Sequence, residues 1–431
     1  MIKKNILIFP AGSENAINIY DSLKYSLHFN LFGASSVRDY AEEIYPKENY
    51  VVTELYIQSE PFFKNFNEII KNFDIDYVIP THDVISLFLM EHEKQINAKV
   101  VCSPFETAKI ANSKIEILNN ISNKFYCPKF YSISDKNIDF PVFLKPNVGA
   151  GGKGAILVKN REELENVFKN NSDMAICEFL PGDELTIDCF TDKNGELLFI
   201  GPRTRERITM GISFTSKTIP LSSEIEDIAN DLNSTFKFRG AWFFQVKKDI
   251  NNNYKLMEFS VRQAGTMALY RQLGVNFALL SLFDAMDMNV KILFNNYNLK
   301  LNRRLANSYT LDYKYNKVYI DFDDTLIINN KINTTAVMFL YQCLNKNKKI
   351  ILITKHSTEI SDDLKKFHID NTMFEKIYSL NESDNKSDYI DNVDSIFIDN
   401  YYKEREEVYI KLGIPVFDVD AIECLIDYSE V

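Results

Sequence analysis

The stretch PVFLKPNVGAGGKGAILV, residues 141–158, decides the fold of the middle of the chain. Apolar residues predominate at both of its ends, and four glycines lie within residues 147–154. This succession of a strand, a glycine-rich loop and a second strand predicts a hairpin flap. Glycine lets backbone amides approach phosphate oxygens closely, so we expect a polyphosphate ligand. A Walker loop and a dinucleotide loop are excluded, because no GKS, GKT or GxGxxG motif opens a helix here.

Composition and charge narrow the class of protein. The 431 residues are 45% hydrophobic and 25% charged, a balance typical of a globular chain with two or three domains. The formal net charge of −11 argues against a general affinity for nucleic acids. The six cysteines lack the spacing of a zinc site, and no apolar run reaches the length of a membrane span. We therefore expect a cytoplasmic enzyme without a nucleic-acid or membrane partner.

Short apolar runs alternate with helical patterns in the first hundred residues. Strands separated by helices predict a parallel, Rossmann-like sheet, whose ligands bind at the carboxyl ends of the strands. Gly12 and His82 follow two of these predicted strands. A tight turn at Gly12 and a hydrogen-bonded loop histidine explain them as well as a substrate role does, and both interpretations stay open. The predicted strands are 5–9, 76–80 and 98–102.

Three carboxylates crowd the end of another predicted strand. The sequence VYIDFDDTL, residues 318–326, contains Asp321, Asp323 and Asp324. Like charges at a strand end repel one another unless a cation lies between them. This segment therefore predicts a magnesium site at the start of a second βα series.

The order of motifs between the first strand and residue 305 resembles the ATP-grasp superfamily, in its carbamoyl-phosphate-synthase-like form. The resemblance implies a two-lobed α+β domain that clamps ATP behind a Rossmann-like domain. It implies oxygen ligands for Mg²⁺, with Mn²⁺ as an alternative, at Gln245, Glu258 and Ser260. It also implies that ATP is held by Lys114, Lys145, Gly149, Gly151, Gly152, Gly154, Glu178, Phe179, Leu180 and Glu184.

One position departs from the family's pattern. The usual ending is Glu-x-Asn-x-Arg, whereas this chain has Ser260 in place of the asparagine. The resemblance places Arg262 against the transferred phosphoryl group. It favours Arg205, among the arginines at 203, 205 and 207, as a second catalytic cation, although a solvated basic strand would also explain these residues.

The segment from 318 to 400 resembles the haloacid dehalogenase family of phosphatases. The resemblance implies that Asp321 forms an aspartyl phosphate and that Asp323 acts as general acid and base. Thr354 and Lys386 would hold the phosphate, with Lys355 as a rival of Lys386, and Asp399 would join Asp321 and Asp323 as a magnesium ligand. The short spacing between these motifs leaves no room for a cap domain, so we expect a capless, HAD-like Rossmannoid domain.

Together these features predict an α/β and α+β multidomain enzyme with two activities. The first is an ATP-dependent ligase that joins a small carboxylate to a nucleophile, an amine being expected, through an acyl phosphate. The second is a Mg²⁺-dependent phosphatase acting on a phosphorylated metabolite. Two alternatives are a phosphatase whose ATP-grasp part only binds nucleotide, and a non-enzymatic nucleotide-gated module; an oligomer remains possible. The predicted segments are a pre-ATP-grasp domain (1–110), an ATP-grasp domain (111–305), a linker (306–316) and a phosphatase domain (317–431).

Overall fold

The protein consists of two compact units, residues 1–305 (unit 1) and residues 306–431 (unit 2). Both units mix helices with strands, so the prediction of a mixed α/β multidomain fold is confirmed. Among the described residues, no helix is both long and apolar enough to cross a membrane. The linker at 306–316 stays a prediction, since 306–308 and 310 lie outside the described residues. The computed structural model describes residues 3–149, 151–209, 212–304, 309, 311–356 and 359–427.

The N-terminal part of unit 1 forms a parallel sheet, as its alternating pattern predicted. Its elements are β1 (Lys4–Phe9), α1 (Glu14–Leu23), β2 (Phe29–Ser35), β3 (Tyr50–Val52), α2 (Phe62–Asn72), β4 (Tyr77–Pro80), α3 (Asp83–Glu91), β5 (Lys99–Val100) and α4 (Phe105–Ala111). The spatial order of the strands is β3-β2-β1-β4-β5, with every pair parallel. Residues 6–9 of the central strand β1 are buried, because helices cover both faces of the sheet.

A second sheet, the flap sheet, carries the glycine-rich hairpin. Its elements are α5 (Lys114–Asn120), β6 (Phe130–Tyr131), β7 (Val142–Pro146), β8 (Ile156–Val158), α6 (Arg161–Asn170) and β9 (Met174–Glu178). The strand order is β6-β9-β7-β8, and all pairs are antiparallel. Val142 and Leu144 are fully buried, so the alternate residues Phe143 and Lys145 point to the other face of β7. That alternation aims the Lys145 side chain away from the core of this lobe.

A third sheet, the large sheet, forms the other lobe of unit 1. The elements of this lobe are β10 (Glu184–Thr191), β11 (Leu197–Thr204), β12 (Glu206–Thr209), β13 (Ile212–Lys217), α7 (Ser223–Thr235), β14 (Gly240–Lys248), β15 (Tyr254–Ser260), α8 (Ala268–Arg271), α9 (Phe277–Ala285) and β16 (Lys300–Asn302). The large sheet has the antiparallel order β11-β10-β14-β15, and β12-β13-β16 form a smaller sheet. Apolar residues of α7 pack on one face of the large sheet, against Trp242 and Phe244.

Unit 2 is built on a parallel sheet with the order β21-β20-β17-β22-β23. Its elements are β17 (Lys317–Ile320), β18 (Ile327–Ile328), β19 (Lys331–Ile332), α10 (Thr334–Asn345), β20 (Lys349–Thr354), α11 (Ile360–Lys366), β21 (Lys376–Ser379), β22 (Ser395–Ile398), α12 (Tyr402–Leu412) and β23 (Val416–Phe417). The central strand β17 lies between β20 and β22. Asp321, Asp399 and the residues after Thr354 therefore follow three neighbouring strands at one edge of the sheet.

Candidate functional site

A cavity of about 490 Å³ in unit 1 is lined by residues of both the flap sheet and the large sheet. This volume falls in the range of sites for small ligands, about 300–1,000 Å³. Most of the residues predicted to hold ATP line it, whereas Gly154 is not among the lining residues. The predicted residues in the lining are Lys114, Lys145, Gly149, Gly151, Gly152, Glu178, Phe179, Leu180, Glu184, Arg205, Gln245 and Glu258.

Two lysines and the flap form the cationic part of the cavity. The Nζ atom of Lys114 donates a hydrogen bond of 2.8 Å to the backbone oxygen of Gly149, so this lysine already contacts the flap. Burial lowers the pKa of Lys114, the carboxylate of Glu258 acts in the opposite direction, and the charge of Lys145 lowers the pKa further. Burial leaves the positive charge at this site poorly solvated. An anion bound to both ammonium groups would stabilise that charge in place of water. Ala150, within the flap, lies outside the described residues.

The flap backbone uses glycine where other residues are strained. Gly152 and Gly154 have φ angles of +68° and +74°, in the left-handed region that L side chains rarely adopt. At Gly154 an added Cβ would also lie 3.0 Å from Cγ of Pro146, whereas at Gly152 nothing lies within 4 Å of it. The backbone conformation thus requires glycine at both positions, and Gly154 is additionally packed against the base of the hairpin.

Asn147 anchors the flap, a role that the sequence did not indicate. Its Oδ1 accepts hydrogen bonds from Ser113 Oγ at 2.8 Å and from the backbone amide of Ile115 at 3.1 Å. Its backbone oxygen accepts a third bond, from the amide of Lys114 at 3.1 Å. One asparagine, the first residue of the segment 147–154, therefore joins the flap to the start of α5 and with it to Lys114.

Two of the acidic residues predicted to hold ATP, Glu178 and Glu184, already have partners within the protein. Glu178 Oε1 accepts a hydrogen bond of 2.8 Å from the backbone amide of Lys129, which leaves mainly backbone groups of 178–180 to face a ligand. Glu184 forms an ion pair of 2.5 Å with Arg205. Burial lowers the pKa of Arg205, and the charge of Glu184 opposes that shift. The structure thus places Arg205 beside the carboxylate of Glu184, inside the cavity.

Gln245 and Glu258 lie directly opposite each other on β14 and β15. Both line the cavity that also contains Lys114 and Lys145. Amide and carboxylate oxygens are ligands that Mg²⁺ prefers, and the ion keeps further positions for phosphate oxygens and water. Gln245 and Glu258 are therefore the residues that would hold a magnesium ion in this cavity.

Ser260 and Arg262 lie apart from the cavity lining, where they contact a residue that the sequence analysis missed. Ser260 Oγ donates a hydrogen bond of 2.5 Å to Asp83 Oδ1, and Arg262 Nε donates one of 3.0 Å to Asp83 Oδ2. Asp83 is the first residue of α3, beside His82 at the carboxyl edge of the N-terminal sheet. No motif connects residues 177 positions apart, so only the fold could show this contact. Ser260 in this arrangement serves as a donor to a carboxylate.

Close packing explains why residue 12 is a glycine. A Cβ atom at this position would overlap the carboxylate of Asp39, whose side chain also accepts a hydrogen bond from the amide of Ala41. A close approach of two loops therefore explains Gly12 without a ligand. His82 stands at the N-terminal end of α3, and its side chain makes no capping bond to that helix.

Several further lining residues were not predicted. They belong to none of the motifs recognised in the sequence. Lys153 and Lys247 add positive charge, whereas the others supply apolar surface suited to a nucleobase. The additional residues are Leu118, Pro128, Phe143, Pro146, Lys153, Ala155, Ala175, Cys177, Ile208, Lys247, Leu256 and Met257.

Unit 2 contains a buried lysine between two carboxylates. The Nζ atom of Lys386 lies 2.7 Å from Asp321 Oδ1 and 2.6 Å from Asp399 Oδ2. Burial raises the pKa of Asp321 to about 7; Lys386 opposes this shift and Asp399 adds to it. Burial raises the pKa of Asp399 as well. The ammonium group of Lys386 lies between the two carboxylates and opposes the effect of burial on each of them.

The rival lysine and the second aspartate have other partners. Lys355 forms an ion pair of 2.7 Å with Glu404, so it is Lys386 that contacts the predicted nucleophile. Asp323 is exposed, and its Oδ2 lies 2.7 Å from Nδ1 of His356, whose Nε2 lies 2.9 Å from Asp363 Oδ2. His356 was not singled out in the sequence.

Thr354, predicted to hold phosphate, ends β20 and is fully buried. Its Oγ1 atom has no hydrogen-bond partner among the described residues, a condition that is costly for a buried hydroxyl. Thr325 Oγ1 lies 3.4 Å from Asp321 Oδ2 and donates toward it. The end of β20 thus presents an unsatisfied hydroxyl near the predicted phosphate site.

The predicted magnesium ligands of unit 2 do not converge in the described structure. Within the described residues, no group of three or more His, Cys, Asp or Glu side chains could hold a metal ion. The reason is that Lys386 neutralises Asp321 and Asp399 while His356 draws Asp323 aside. Only Asp321 and Asp399 remain close enough to share a cation with a phosphate and water.

Comparisons with known proteins bear on unit 1. A family model described as "ATP-grasp in the biosynthetic pathway with Ter operon" matches residues 170–307, and the ATP-binding domain of the carbamoyl-phosphate synthase L chain matches residues 127–196. A formate-dependent phosphoribosylglycinamide formyltransferase of Prochlorococcus marinus (strain MIT 9301) is 32% identical over 152 residues, which is 31% of this chain and 39% of the relative. These findings support the ATP-grasp ligase superfamily. The prediction is confirmed at this level.

Solved structures share the ATP-grasp fold at low sequence identity. A biotin carboxylase from Campylobacter jejuni, solved as a β,γ-ATP complex, superposes with a TM-score of 0.57 and 16% identity over 67% of this chain and 72% of that one. N5-carboxyaminoimidazole synthetase from Staphylococcus aureus gives a TM-score of 0.55 and 12% identity over 68% of this chain and 81% of that one. Since the chain spans 39% of the length of its curated relative, the reaction of this ATP-grasp part is a proposal. The phosphatase-like character of residues 317–431 stays a prediction.

Proposed function

We propose that unit 1 is an ATP-dependent ligase that converts a small carboxylate into an acyl phosphate and transfers the acyl group to a nucleophile, an amine being expected. One observation carries this proposal. A single cavity brings together Lys114, Lys145, the glycine flap and the facing pair of Gln245 and Glu258. Two cations and two oxygen ligands beside the glycine flap meet the needs of a triphosphate with its magnesium ion.

The chemistry that this arrangement supports depends mainly on position and charge. The substrate carboxylate attacks the γ-phosphorus as its own nucleophile, the bond to the β-phosphate oxygen breaks, and ADP leaves. Lys114 and Lys145 offset the charge of the phosphates, and the flap excludes water that would hydrolyse the acyl phosphate. The nucleophile then attacks the carbonyl carbon, and inorganic phosphate leaves. Gln245 and Glu258 are the residues that would hold Mg²⁺, which shields phosphate charge when bound.

ADP release tests the ligase proposal. The full chain with ATP and Mg²⁺ is assayed against a panel of small carboxylates combined with amines, and we expect release that requires both substrates. Lys145→Met should lower it by at least about a hundredfold, because one of two phosphate-binding cations is lost. Lys136→Met is the matched control, since Lys136 is an exposed lysine outside the cavity lining.

Two results separate this proposal from its alternative. If the chain binds nucleotide but releases no ADP with any pair of carboxylate and amine, unit 1 is a binding module. Ser260 in place of asparagine favours this alternative. Equal activity of Lys145→Met and Lys136→Met would contradict the cavity as the ATP site.

We further propose that unit 2 is a phosphatase acting through an aspartyl phosphate on a phosphorylated metabolite. The buried contact of Lys386 with Asp321 and Asp399 supports this function, because like-charged carboxylates are brought together at a sheet edge only where charge is to be bound. Asp321 would attack phosphorus, and Asp323 would protonate the leaving alcohol. Asp321 and Asp399 are the side chains that would share Mg²⁺ with the phosphate.

Turnover of p-nitrophenyl phosphate by the full chain tests this second proposal. Asp321→Asn should abolish turnover, because an amide cannot form the phosphoenzyme. Asp312→Asn is the matched control, since Asp312 is exposed and lies in the same unit. Retained turnover in Asp321→Asn would overturn the proposal, and so would wild-type protein that lacks turnover with every phosphate ester tried.

A further inference from the structure

Two arginines of unit 1 carry buried N–H groups for which the described residues provide no acceptor. Arg203 donates through Nε and Nη2 to both oxygens of Asp188, at 2.7 and 2.9 Å, while its Nη1 has no partner. Arg303 pairs through Nη1 with Glu14, while its Nη2 has no partner. An unsatisfied buried donor on a cation costs free energy and calls for a bound group that is missing.

The two arginines are attached to the same small sheet. Arg203 pairs with Thr218 directly after β13, and β16, which ends directly before Arg303, pairs with β13. The Nη2 atom of Arg303 also lies against Gly265, where an added Cβ would stand only 3.0 Å from it. The loop after β15 and the start of α1 therefore both contact Arg303. Burial lowers the pKa of Arg303, Glu14 opposes that shift, and the charge of Arg203 lowers the pKa further.

The two arginines differ in how firmly their charge is balanced. Arg203 and Asp188 are 1% and 0% exposed and share a two-point contact, so this pair is fixed. The side chain of Glu14 is 49% exposed and reaches only one nitrogen of Arg303, whose side chain is 16% exposed. A ligand anion can therefore replace Glu14 at Arg303 and reach the free N–H of Arg203, whereas Asp188 cannot be displaced at comparable cost.

We propose that Arg303 and Arg203 form a subsite for an anionic group, a carboxylate or a phosphate, of the substrate that unit 1 ligates, with Glu14 as the carboxylate that occupies Arg303 until that substrate binds. The proposal rests on the ligase function proposed for unit 1 and names the chemistry of one of its substrates. None of these three residues lines the cavity assigned to ATP. Planar guanidinium groups suit both anions, because each offers parallel N–H groups to two oxygens.

Calorimetry on the full chain tests the subsite. The protein is saturated with Mg²⁺ and a non-hydrolysable ATP analogue and titrated in separate arms with succinate and with inorganic phosphate. We expect Arg303→Gln to weaken anion binding at least about tenfold, Arg303→Lys to weaken it less, and Glu14→Gln to strengthen it. Arg38→Gln is the matched control, because the side chain of Arg38 is 84% exposed and lies in the same unit.

Each outcome bears on the proposal. Sensitivity of the succinate arm to Arg303→Gln assigns a carboxylate-bearing substrate, and sensitivity of the phosphate arm assigns a phosphorylated one. Binding that Arg303→Gln leaves unchanged, or no binding in either arm, overturns the subsite and leaves water as the partner of the free N–H groups. Binding of the ATP analogue is measured in the same samples. If the analogue does not bind, it is the ligase proposal that fails, and not the subsite alone. The melting temperatures of the variants show whether any loss reflects unfolding.

Discussion

Ser260 Oγ donates a hydrogen bond of 2.5 Å to Asp83 Oδ1, which joins the end of β15 to the first turn of α3. Arg262 contacts the other oxygen of the same carboxylate at 2.8 Å. Burial raises the pKa of Asp83, but Arg262 and Ser260 outweigh burial and hold it below its ordinary value. The residue that replaces the family's asparagine therefore connects the large sheet to helix α3 in the N-terminal part of unit 1.

This contact predicts how Ser260 and Glu258 differ in their response to Mg²⁺. Ser260→Ala should change the Mg²⁺ concentration for half-maximal ATP binding by less than about threefold, because the hydroxyl is engaged with Asp83. Glu258→Gln should raise that concentration by at least about tenfold, since a charged metal ligand is lost. The measurement is titration of Mg²⁺ at fixed nucleotide by calorimetry. Equal effects of the two substitutions would show that Ser260 is a metal ligand after all.

Asn147 provides a test of the flap anchor. Asn147→Ala removes the acceptor of Ser113 Oγ and of the Ile115 amide. Loss of two hydrogen bonds, about 1 kcal/mol each, should weaken ATP binding by about tenfold through a less ordered flap. Limited proteolysis should also become faster within residues 147–154.

Asn120→Ala is the matched control for the flap experiment. The Asn120 amide is exposed and donates only to the backbone oxygen of Glu116 in its own helix, at 2.8 Å. We expect wild-type affinity and proteolysis for this variant. If Asn147→Ala behaves in the same way, the flap does not depend on Asn147.

The buried pair of Asp188 and Arg203 should matter for stability. Asp188→Asn leaves the Arg203 charge without a counterion in a fully buried site, and the free energy of unfolding of unit 1 should fall by about 3 kcal/mol. Trp242 is the only tryptophan of the chain and is fully buried in unit 1, so its fluorescence during urea denaturation reports on this unit. The same substitution at Asp139, in an exposed ion pair with Lys129, should leave the urea midpoint unchanged. A small loss for Asp188→Asn would mean that the interior tolerates the free cation.

Asp231 should give unit 1 a pH-dependent contribution to stability. It accepts hydrogen bonds from Lys124 at 2.8 Å and from the hydroxyl of Tyr126 at 2.6 Å. Burial raises the pKa of Asp231, but these two donors outweigh burial and hold it below its ordinary value. A carboxyl group with a depressed pKa stabilises the fold above the unfolded pKa of about 4, and this stabilisation disappears as the pH falls through the folded pKa.

Asp231→Asn should therefore lower the free energy of unfolding by about 1 kcal/mol at neutral pH, and the difference from wild type should shrink below about pH 4. Urea denaturation followed by Trp242 fluorescence at several pH values provides the measurement. A difference that stays constant with pH would show that the carboxylate charge of Asp231 is not responsible.

Four elements of unit 2, namely β18, β19, β21 and α12, were not predicted from the sequence, and two of them show the physical reason. The helix α12 (Tyr402–Leu412) buries only Val408, so it lacks the apolar period by which a helix is recognised. The strand β21 (Lys376–Ser379) is at the edge of its sheet, and none of its four residues is fully buried.

The sequence by itself determined the local features of this protein: the glycine hairpin after β7, the adjacent strands that carry Gln245 and Glu258, and the βα series that follows Lys317. These features depend on the periodicity of apolar residues and on the turn residues within short segments, and both can be recognised directly in the sequence. Only the tertiary structure decided which charged groups meet. Asp83 with Ser260, Glu184 with Arg205, and Glu14 with Arg303 are pairs brought together by sheet packing. Their energies depend on distance and burial, which sequence separation does not encode.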